Sequence, residues 1–492
     1  MLTLVLYGTK QTIKNDLKSS YGKIEAVELR LDLSPQLNPL DVCELFRKYS
    51  FKIIYTLRMT HQGGLFSGSF EERLKKLESF FLKKPDFIDI EYDTPQSHIT
   101  LIKKKYPSIQ IILSYHDFEK LSPHLTLIFH ELKKKNSHII KMAFKANSSL
   151  DALKMFTFAR KLFLLGEPLI VIAMGEYGTF LRILTKLHSK FFCYCYLEKD
   201  VQKVGQISLK QLIDTYHYGK TSPSTSVLAL IGSPVSQSIS HITHNDLLEE
   251  LGLDALYIKI DLVAEQLVDF FSLIDWSVFK GFSVTSPLKE EILSLKFKRS
   301  EKVIAIGSAN TVYYDGKVVL ENTDAYGALK AIEEVADTDA ICALILGTGG
   351  AARALGFALN QKSIPLTFMG RNSLKTEQIA KDFKGKGVSF SSRSFEHSPF
   401  QLIAQTTTVG MKTEESLLAC ESLPSDLILF EMITRPRETA FVKFGKKHGC
   451  KIIYGERMFL YQACLQFYYF FSIDLEVAKR ILEKGLKKIE SF

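Results

Sequence analysis

The sequence contains no apolar run approaching the ~18 residues of a membrane span, no C-x-x-C pair, and no strong excess of either charge. The first absence excludes a transmembrane helix: even the aromatic stretch Gln466-Phe467-Tyr468-Tyr469-Phe470-Phe471 is too short to cross a bilayer. The seven cysteines are odd in number and unpaired by motif, so they read as reduced thiols of a cytoplasmic protein, not a disulfide framework. A net charge of +9 carried by 63 basic and 54 interspersed acidic residues argues against a nucleic-acid partner and accommodates anionic small molecules. The opening MLTLVLYGTK lacks a basic leader region and reads as a first strand, not a signal peptide. What remains is a chain of 492 residues, 46% hydrophobic and 24% charged, able to fill real cores and long enough for a large barrel plus further domains.

Short apolar, β-branched runs alternate with amphipathic Lys-rich segments through the first 216 residues. They predict strands at Leu2–Tyr7, Ala26–Leu31, Phe51–Leu57, Phe87–Tyr92, Ile109–Ser114, His138–Phe144, Leu169–Met174 and Phe191–Tyr196. Helix-length spacers such as Phe70–Leu82, Ser148–Leu165 and Tyr177–Leu187 lie between them. Eight β/α units in this length predict an α/β fold of the (β/α)8 TIM-barrel kind; a doubly wound sheet with the same count is the alternative. A polar stretch at 217–226 reads as a linker. The pattern restarts at 227–330 as a small α/β domain and again at 331–455 as a Rossmann-type domain, and helices in 456–492 return to the middle domain.

In a parallel barrel, reactive side chains project from the carboxyl ends of strands. Glu28 and Arg30 share one face of strand two, Arg58 ends strand three, and His116 ends strand five. Arg182 follows strand seven and Gln206 follows strand eight. Lys141 lies inside strand six among Ile, Met and Phe, where an ammonium is costly unless it is paired or loses its proton. An uncharged amine there would be a nucleophile for a ketone; a lysine snorkelling to the rim is the alternative. His116 has the range for proton shuttling near neutral pH, and the converging arginines suit a carboxylate.

Glu28-Leu29-Arg30-Leu31-Asp32, Thr56-Leu57-Arg58, Ser114-Tyr115-His116-Asp117-Phe118, Lys141 and Gly205-Gln206-Ile207-Ser208 resemble the type I 3-dehydroquinate dehydratases. The resemblance implies a metal-free barrel in which Lys141 forms a Schiff base with the C3 ketone of 3-dehydroquinate. His116 would move the C2 proton and protonate the departing hydroxyl, while Glu28, Arg30, Arg58, Arg182 and Gln206 orient the substrate, Arg182 holding its carboxylate. The chain departs from that family at Gln62, where an acidic residue is common, and in the Gln202–Gly205 loop, and it starts almost at strand one, without the N-terminal hairpin of many relatives.

Further on, Gly347, Gly349, Gly350, Ala351 and Ala352 form a G-x-G-x-x-A turn between an apolar strand and a helix, the context of a dinucleotide site. The strand Leu366–Met369 is followed by Arg371 and Lys375 with no acid, which favours NADP over NAD. Lys289 and Asp324 read either as a proton-relaying pair or as a structural salt bridge. His241-Ile242-Thr243-His244 has no third ligand in view and carries no zinc reading.

Gly232-Ser233-Pro234, Ser238-Ile239-Ser240, Val284 through Glu291, Ala309-Asn310-Thr311, Asn322-Thr323-Asp324, the glycine loop and Gln462 together resemble shikimate dehydrogenase. This implies that Ser238, Ser240 and Thr285 hold a carboxylate, and that Asn310, Asp324 and Gln462 hold ring hydroxyls. Lys289 and Asp324 would serve the C3 carbonyl reduced by NADPH, with Met432 and Gly455 beside the cofactor. Departures stand at His241, Ser283, Glu431-Met432-Ile433-Thr434 and Arg457. The two resemblances imply consecutive steps, from 3-dehydroquinate through 3-dehydroshikimate to shikimate, with small-molecule partners and no membrane. The rival readings are a Schiff-base aldolase barrel fused to an unrelated NADP reductase, and a ligand-binding regulator.

Overall fold

Period-two alternation sets the first sheet, because inward side chains meet in one core while outward ones meet helices. In the computed structural model, which describes residues 1–200, 205–337, 341–389, 400–418 and 423–490, eight strands form a parallel sheet. They are β1 (Leu2–Leu6), β2 (Ala26–Arg30), β3 (Lys52–Thr56), β4 (Phe87–Glu91), β5 (Gln110–Asp117), β6 (Ile139–Lys145), β7 (Leu169–Met174) and β8 (Cys193–Cys195). The order is β7-β6-β5-β4-β3-β2-β1-β8, so the last strand pairs with the first and the sheet curls into a barrel, not a doubly wound layer. One buried cluster takes Val5, Ala26, Ile54, Phe87, Ile112, Ile139, Ile170 and Phe192, one residue from each of the first seven strands and one from the entry to the eighth. Such a layer forms only where a sheet closes on itself.

One expected helix, Tyr177–Leu187, is broken into a turn at Glu176–Gly178 and short helices Thr179–Ile183 and Thr185–His188. The Thr185 hydroxyl donates to the Arg182 carbonyl (2.6 Å), offering the backbone a partner that competes with the helical ladder. Between barrel and second unit, residues 218–225 are tied down: Tyr218 is buried, and Lys186 Nζ donates to the carbonyls of Tyr218 and Thr221, both at 2.9 Å.

The chain divides into two compact units, Met1–Thr225 with Asp269–Leu273, and Ser226–Val268 with Ile274–Phe492. The second contains two sheets. One comprises β9 (Ser226–Gly232), β10 (Ala255–Asp261), β11 (Phe279–Val284), β12 (Lys298–Arg299), β13 (Thr311–Tyr314) and β14 (Val318–Glu321), in the order β10-β9-β11-β13-β14-β12. The other comprises β15 (Ala343–Leu346), β16 (Leu366–Gly370), β17 (Lys386–Ser389), β18 (Leu402–Gln405), β19 (Ile428–Glu431) and β20 (Lys451–Ile453), all parallel in the order β17-β16-β15-β18-β19-β20. Its direction of winding reverses between β15 and β18, which opens a crevice at their carboxyl ends. The closing helices Gly455–Phe471 and Leu475–Glu490 bury Leu460, Phe467, Ile481 and Leu482 against Leu228, Leu247 and Tyr257 of the first of these sheets and its helix. No helix among the described residues is long and apolar enough to cross a membrane.

Phe192 is almost fully buried in the barrel layer and meets the Phe87 ring edge-on at 5.0 Å. Phe192→Ala is expected to destabilise the barrel by about 3–5 kcal/mol, because the cavity adds to the lost transfer energy. Chemical denaturation followed by a barrel-specific probe checks this; a loss below about 1 kcal/mol would mean that the layer repacks or is not closed.

Candidate functional sites

All seven residues singled out in the barrel line one cavity of about 320 Å³: Glu28, Arg30, Arg58, His116, Lys141, Arg182 and Gln206. Lys141 is buried and paired. Its Nζ donates to Asp89 Oδ2 (3.0 Å), lies 3.7 Å from Glu28 Oε1, and sits 4.3 Å from the centre of the Tyr194 ring. The snorkelling alternative therefore fails: the amine is held inside by two carboxylates.

Those carboxylates are themselves fixed. The Thr56 hydroxyl donates to Glu28 Oε1 at 2.7 Å. Arg58 Nη2 lies 2.9 Å from Asp89 Oδ2, and the Ser114 hydroxyl donates to Asp89 Oδ1 at 2.6 Å. Burial alone would push the Asp89 carboxyl up, but the neighbouring charges of Arg58 and Lys141 outweigh it and hold the group well below its ordinary range. Glu91, pointing inward two residues on, pairs with Arg58 (3.4 Å) and with Arg73. Asp89, Glu91 and Tyr194 were not expected from the sequence. The signal was available in Phe87-Ile88-Asp89-Ile90-Glu91, where two acids alternate with apolar residues in the same inward phase as Phe87.

His116 is oriented by Gln62. The Gln62 Oε1 accepts from the His116 backbone N–H (3.0 Å) and lies 3.3 Å from Nδ1. A backbone N–H can only donate, so the amide oxygen is the atom facing both nitrogens and Nδ1 carries the ring proton. That leaves Nε2 as the free base. Burial first, then the charges of Arg58 and Lys141, hold the imidazole well below the usual histidine range, so it is neutral near pH 7. Phe118 stacks on the His116 ring, with centroids 5.8 Å apart.

The arginines divide by partner. Arg30 is clamped in two parallel hydrogen bonds to Asp32 (2.9 and 2.7 Å), and Arg58 is neutralised by Asp89 and Glu91. Arg182 has no carboxylate partner among the described residues; its Nε donates to the Gly205 carbonyl at 2.9 Å. It is the cation of this cavity that remains open to an anion. Gly205 has φ +83°, and a Cβ there would collide with the Gly175 carbonyl, so the turn carrying Gln206 requires glycine. Of the altered loop Gln202–Gly205, residues 202–204 lie outside the described residues.

The second cavity, about 220 Å³, lies in the Ser226–Phe492 unit and is lined by Ser238, Ser240, Thr285, Lys289, Asn310, Asp324, Met432, Gly455 and Gln462. Lys289 Nζ and Asp324 Oδ2 are 2.6 Å apart. The Asn310 amide donates to Asp324 Oδ1 (2.9 Å), Thr323 Oγ1 (2.9 Å) and Gln462 Oε1 (3.2 Å). Asp324 is thereby oriented from one side and charge-paired on the other. The Ser238 and Ser240 hydroxyls lie 2.5 Å apart, and Ser283 donates to Gln466 Oε1 at 2.8 Å. Gln466 was not anticipated; it lies one helical turn after Gln462 on the same helix face. Arg457, one of the departures, ties helices together through Glu334 and through Glu483 at 3.2 Å.

The glycine loop follows β15 directly. Gly347 has φ +126°, and a Cβ would collide with Thr406 Oγ1, so only glycine fits the turn. Gly349 caps the helix Gly350–Gln361 without any side-chain hydrogen bond, leaving the first backbone N–H groups open for an anion. Gly350 and Ala351 open that helix, and the Gly350 carbonyl accepts from Ser308 at 3.2 Å, close to the Lys289 side chain. Arg371 and Lys375 are exposed just past β16, with Asn372 capping their helix through Lys375 N–H at 3.0 Å. These residues lie outside the lining of the cavity; the loop, the open helix start and the two cations fit a phosphate-bearing dinucleotide.

The sequence matches two family patterns, type I 3-dehydroquinase over residues 3–223 and the shikimate dehydrogenase substrate binding domain over residues 230–312. A bifunctional 3-dehydroquinate dehydratase/shikimate dehydrogenase of Arabidopsis thaliana is 28% identical over 468 residues, spanning 90% of this chain and 77% of that protein. The shikimate biosynthesis protein AroDE of Chlamydia pneumoniae is 30% identical over 472 residues, spanning 92% of this chain and 91% of that one. A shikimate dehydrogenase (NADP(+)) of Methanococcus maripaludis is 32% identical over 278 residues, covering 54% of this chain and 98% of that protein. With the barrel matching one of these families, the second unit matching the other and a relative similar along nearly its whole length, the chain belongs to the family of bifunctional 3-dehydroquinate dehydratase/shikimate dehydrogenases.

Proposed function

We propose that the chain carries out two consecutive steps: dehydration of 3-dehydroquinate in the barrel and NADPH-dependent reduction of the resulting 3-dehydroshikimate to shikimate in the second unit. The observation that carries the reading is Lys141, buried beside Asp89 and Glu28 and facing His116 across one cavity. The Lys141 amine attacks the C3 ketone, water leaves, and a protonated imine forms whose charge Asp89 and Glu28 neutralise. The imine draws electrons from C2, and His116 Nε2 takes the C2 proton. The imidazolium then protonates the departing C1 hydroxyl, and hydrolysis of the imine frees the enone and the amine. Arg182 anchors the substrate carboxylate, while Arg30, Arg58, Glu28 and Gln206 position the ring.

In the second unit, which we divide into a substrate-binding part (227–330), a dinucleotide-binding part (331–455) and closing helices (456–492), Ser238, Ser240 and Thr285 hold the carboxylate. Asn310 and Gln462 orient the ring hydroxyls. Lys289 donates a proton to the C3 oxygen as reduction proceeds, and Asp324 holds the ammonium in line at 2.6 Å. The backbone of Gly347–Ala351 would hold the cofactor's pyrophosphate, Arg371 and Lys375 its 2′-phosphate, and Met432 and Gly455 would border its nicotinamide; when bound, NADPH supplies the hydride. We read the setting as cytoplasmic, in keeping with free cysteines among the described residues.

A coupled assay tests this reading. Purified protein given 3-dehydroquinate should develop the absorbance of a conjugated enone, and adding NADPH should then consume that product. Lys141→Ala should abolish the first change and leave the second largely intact; parallel loss of both in a folded variant would contradict two separate sites.

The proton chemistry carries its own pH signature. Because His116 is depressed below 6.5, its neutral base form persists as the solution is acidified through that value. The acid limb of kcat/KM for dehydration should therefore lie below pH 6.5. Gln62→Glu, which places a carboxylate against Nδ1 and stabilises the imidazolium, should move the limb upward. A limb above pH 6.5 in the wild type, or one unmoved by the substitution, would remove His116 as the base.

Cofactor choice is checked at Arg371. Arg371→Ala should raise KM for NADPH by about tenfold or more while changing KM for NADH little, as expected on losing a charge-assisted phosphate contact. Equal effects on both cofactors would place the 2′-phosphate elsewhere.

A further inference from the structure

Tyr194 is the central residue of β8 and belongs to the buried barrel layer, where its ring packs on that of Phe192 with centroids 6.1 Å apart. It lines the barrel cavity, and its ring centre lies 4.3 Å from Lys141 Nζ. The phenol hydroxyl has no hydrogen-bond partner among the described residues, so packing aims the side chain and the ring is what it presents to the amine. Burial first, then Glu28 and Asp89, push the phenol well above its ordinary range, and the ring stays neutral.

The charges around the amine show what a neutral ring can add. Three carboxylates, Glu28, Asp89 and Glu91, face three cations, Lys141, Arg58 and Arg73. This balance closes only while the Lys141 nitrogen is positive. A further carboxylate would overcompensate it and hold the amine as an ammonium, and an aliphatic side chain would attract nothing. An aromatic face draws a cation through its quadrupole, without a formal charge of its own. When the nitrogen bonds the C3 of the substrate, the ammonium passes two protons to the ketone oxygen, which leaves as water. The nitrogen keeps the third proton and the positive charge. That charge is then shared with C3 and is poorly hydrated, the kind of cation an aromatic face receives well.

We propose that Tyr194 is a catalytic residue of the barrel site, its ring face meeting the reacting nitrogen and stabilising the protonated imine relative to the neutral amine and enamine. This role rests on the reading of the barrel as a dehydratase that works through an imine at Lys141. The stabilisation extends to the cationic transition states on either side of the imine, so it is expressed in kcat/KM.

The test compares wild type with Tyr194→Phe and with two forms of that variant whose ring carries one or three fluorines, introduced by codon suppression in the full chain. The series keeps the ring in place while each fluorine withdraws negative charge from its face. For 3-dehydroquinate, Tyr194→Phe should stay within about threefold of wild type in kcat/KM, since it retains the aromatic face. The three-fluorine form should fall about five- to thirtyfold below Tyr194→Phe, with the one-fluorine form between them. At low substrate, the rate of borohydride trapping at Lys141 should fall by the same factor. Unchanged oxidation of shikimate by NADP+ and an unchanged melting profile establish that the variants are folded. Equal kcat/KM along the fluorine series overturns the role. So does a Tyr194→Phe variant as impaired as the three-fluorine form, which would assign the effect to the hydroxyl. A wild type that forms no adduct at Lys141 with 3-dehydroquinate overturns the imine reading and this role with it.

Discussion

The ion pair between Lys141 and Asp89, at 3.0 Å in the middle of the barrel, constrains everything around it. Each of these charges alone would be expensive to bury, and a pair is tolerated only when the remaining lone pairs and protons are also satisfied. Asp89 meets this condition through Arg58 and Ser114, Arg58 through Glu91, and Glu91 through Arg73. The result is a chain of alternating charges running from the barrel interior to the helix that carries Arg73. Its reactive end is Lys141, which lines the cavity. Neutralising the amine by reaction changes the charge beside Asp89 and Glu28, and a protonated imine restores it, so the same carboxylates suit resting and reacting states.

The second cavity solves a related problem with less charge. Lys289 has one carboxylate, Asp324, and that carboxylate is aimed by a neutral amide, Asn310, which Gln462 in turn orients. On the proposed reading, substrate recognition there falls to hydroxyls and amides, and in the barrel to Arg182, which has no carboxylate partner among the described residues. The two halves would then bind carboxylated rings in two ways: by an open guanidinium in one, and by a set of neutral donors in the other.

Much of the fold was legible because the strands are short, apolar and regularly spaced, and because Gly347 and Gly349 punctuate the turn after an apolar strand while Lys141 interrupts one. The candidate residues from Glu28 to Gln206 fall in one cavity because the end of a barrel strand is a fixed place. Asp89 and Glu91 escaped notice because acids near a strand end look like exposed ones until the register is known. Gln466 escaped because its contacts with Ser283, Asn310 and Thr311 are made across more than a hundred residues, which spacing does not reveal. Gln62 was visible as a departure, but its effect on His116 became readable only once the backbone N–H fixed which amide atom faces the ring. The break at Thr185 came from a side-chain hydroxyl that periodicity does not weigh.

Borohydride reduction in the presence of 3-dehydroquinate tests the central claim most directly, because it asks whether the buried amine and the ketone become one covalent species. Mass spectrometry of the digested protein should locate a single reduced adduct on the peptide containing Lys141, with none formed when substrate is omitted. Full dehydration activity without any adduct at Lys141 would contradict the account, whatever the second unit does.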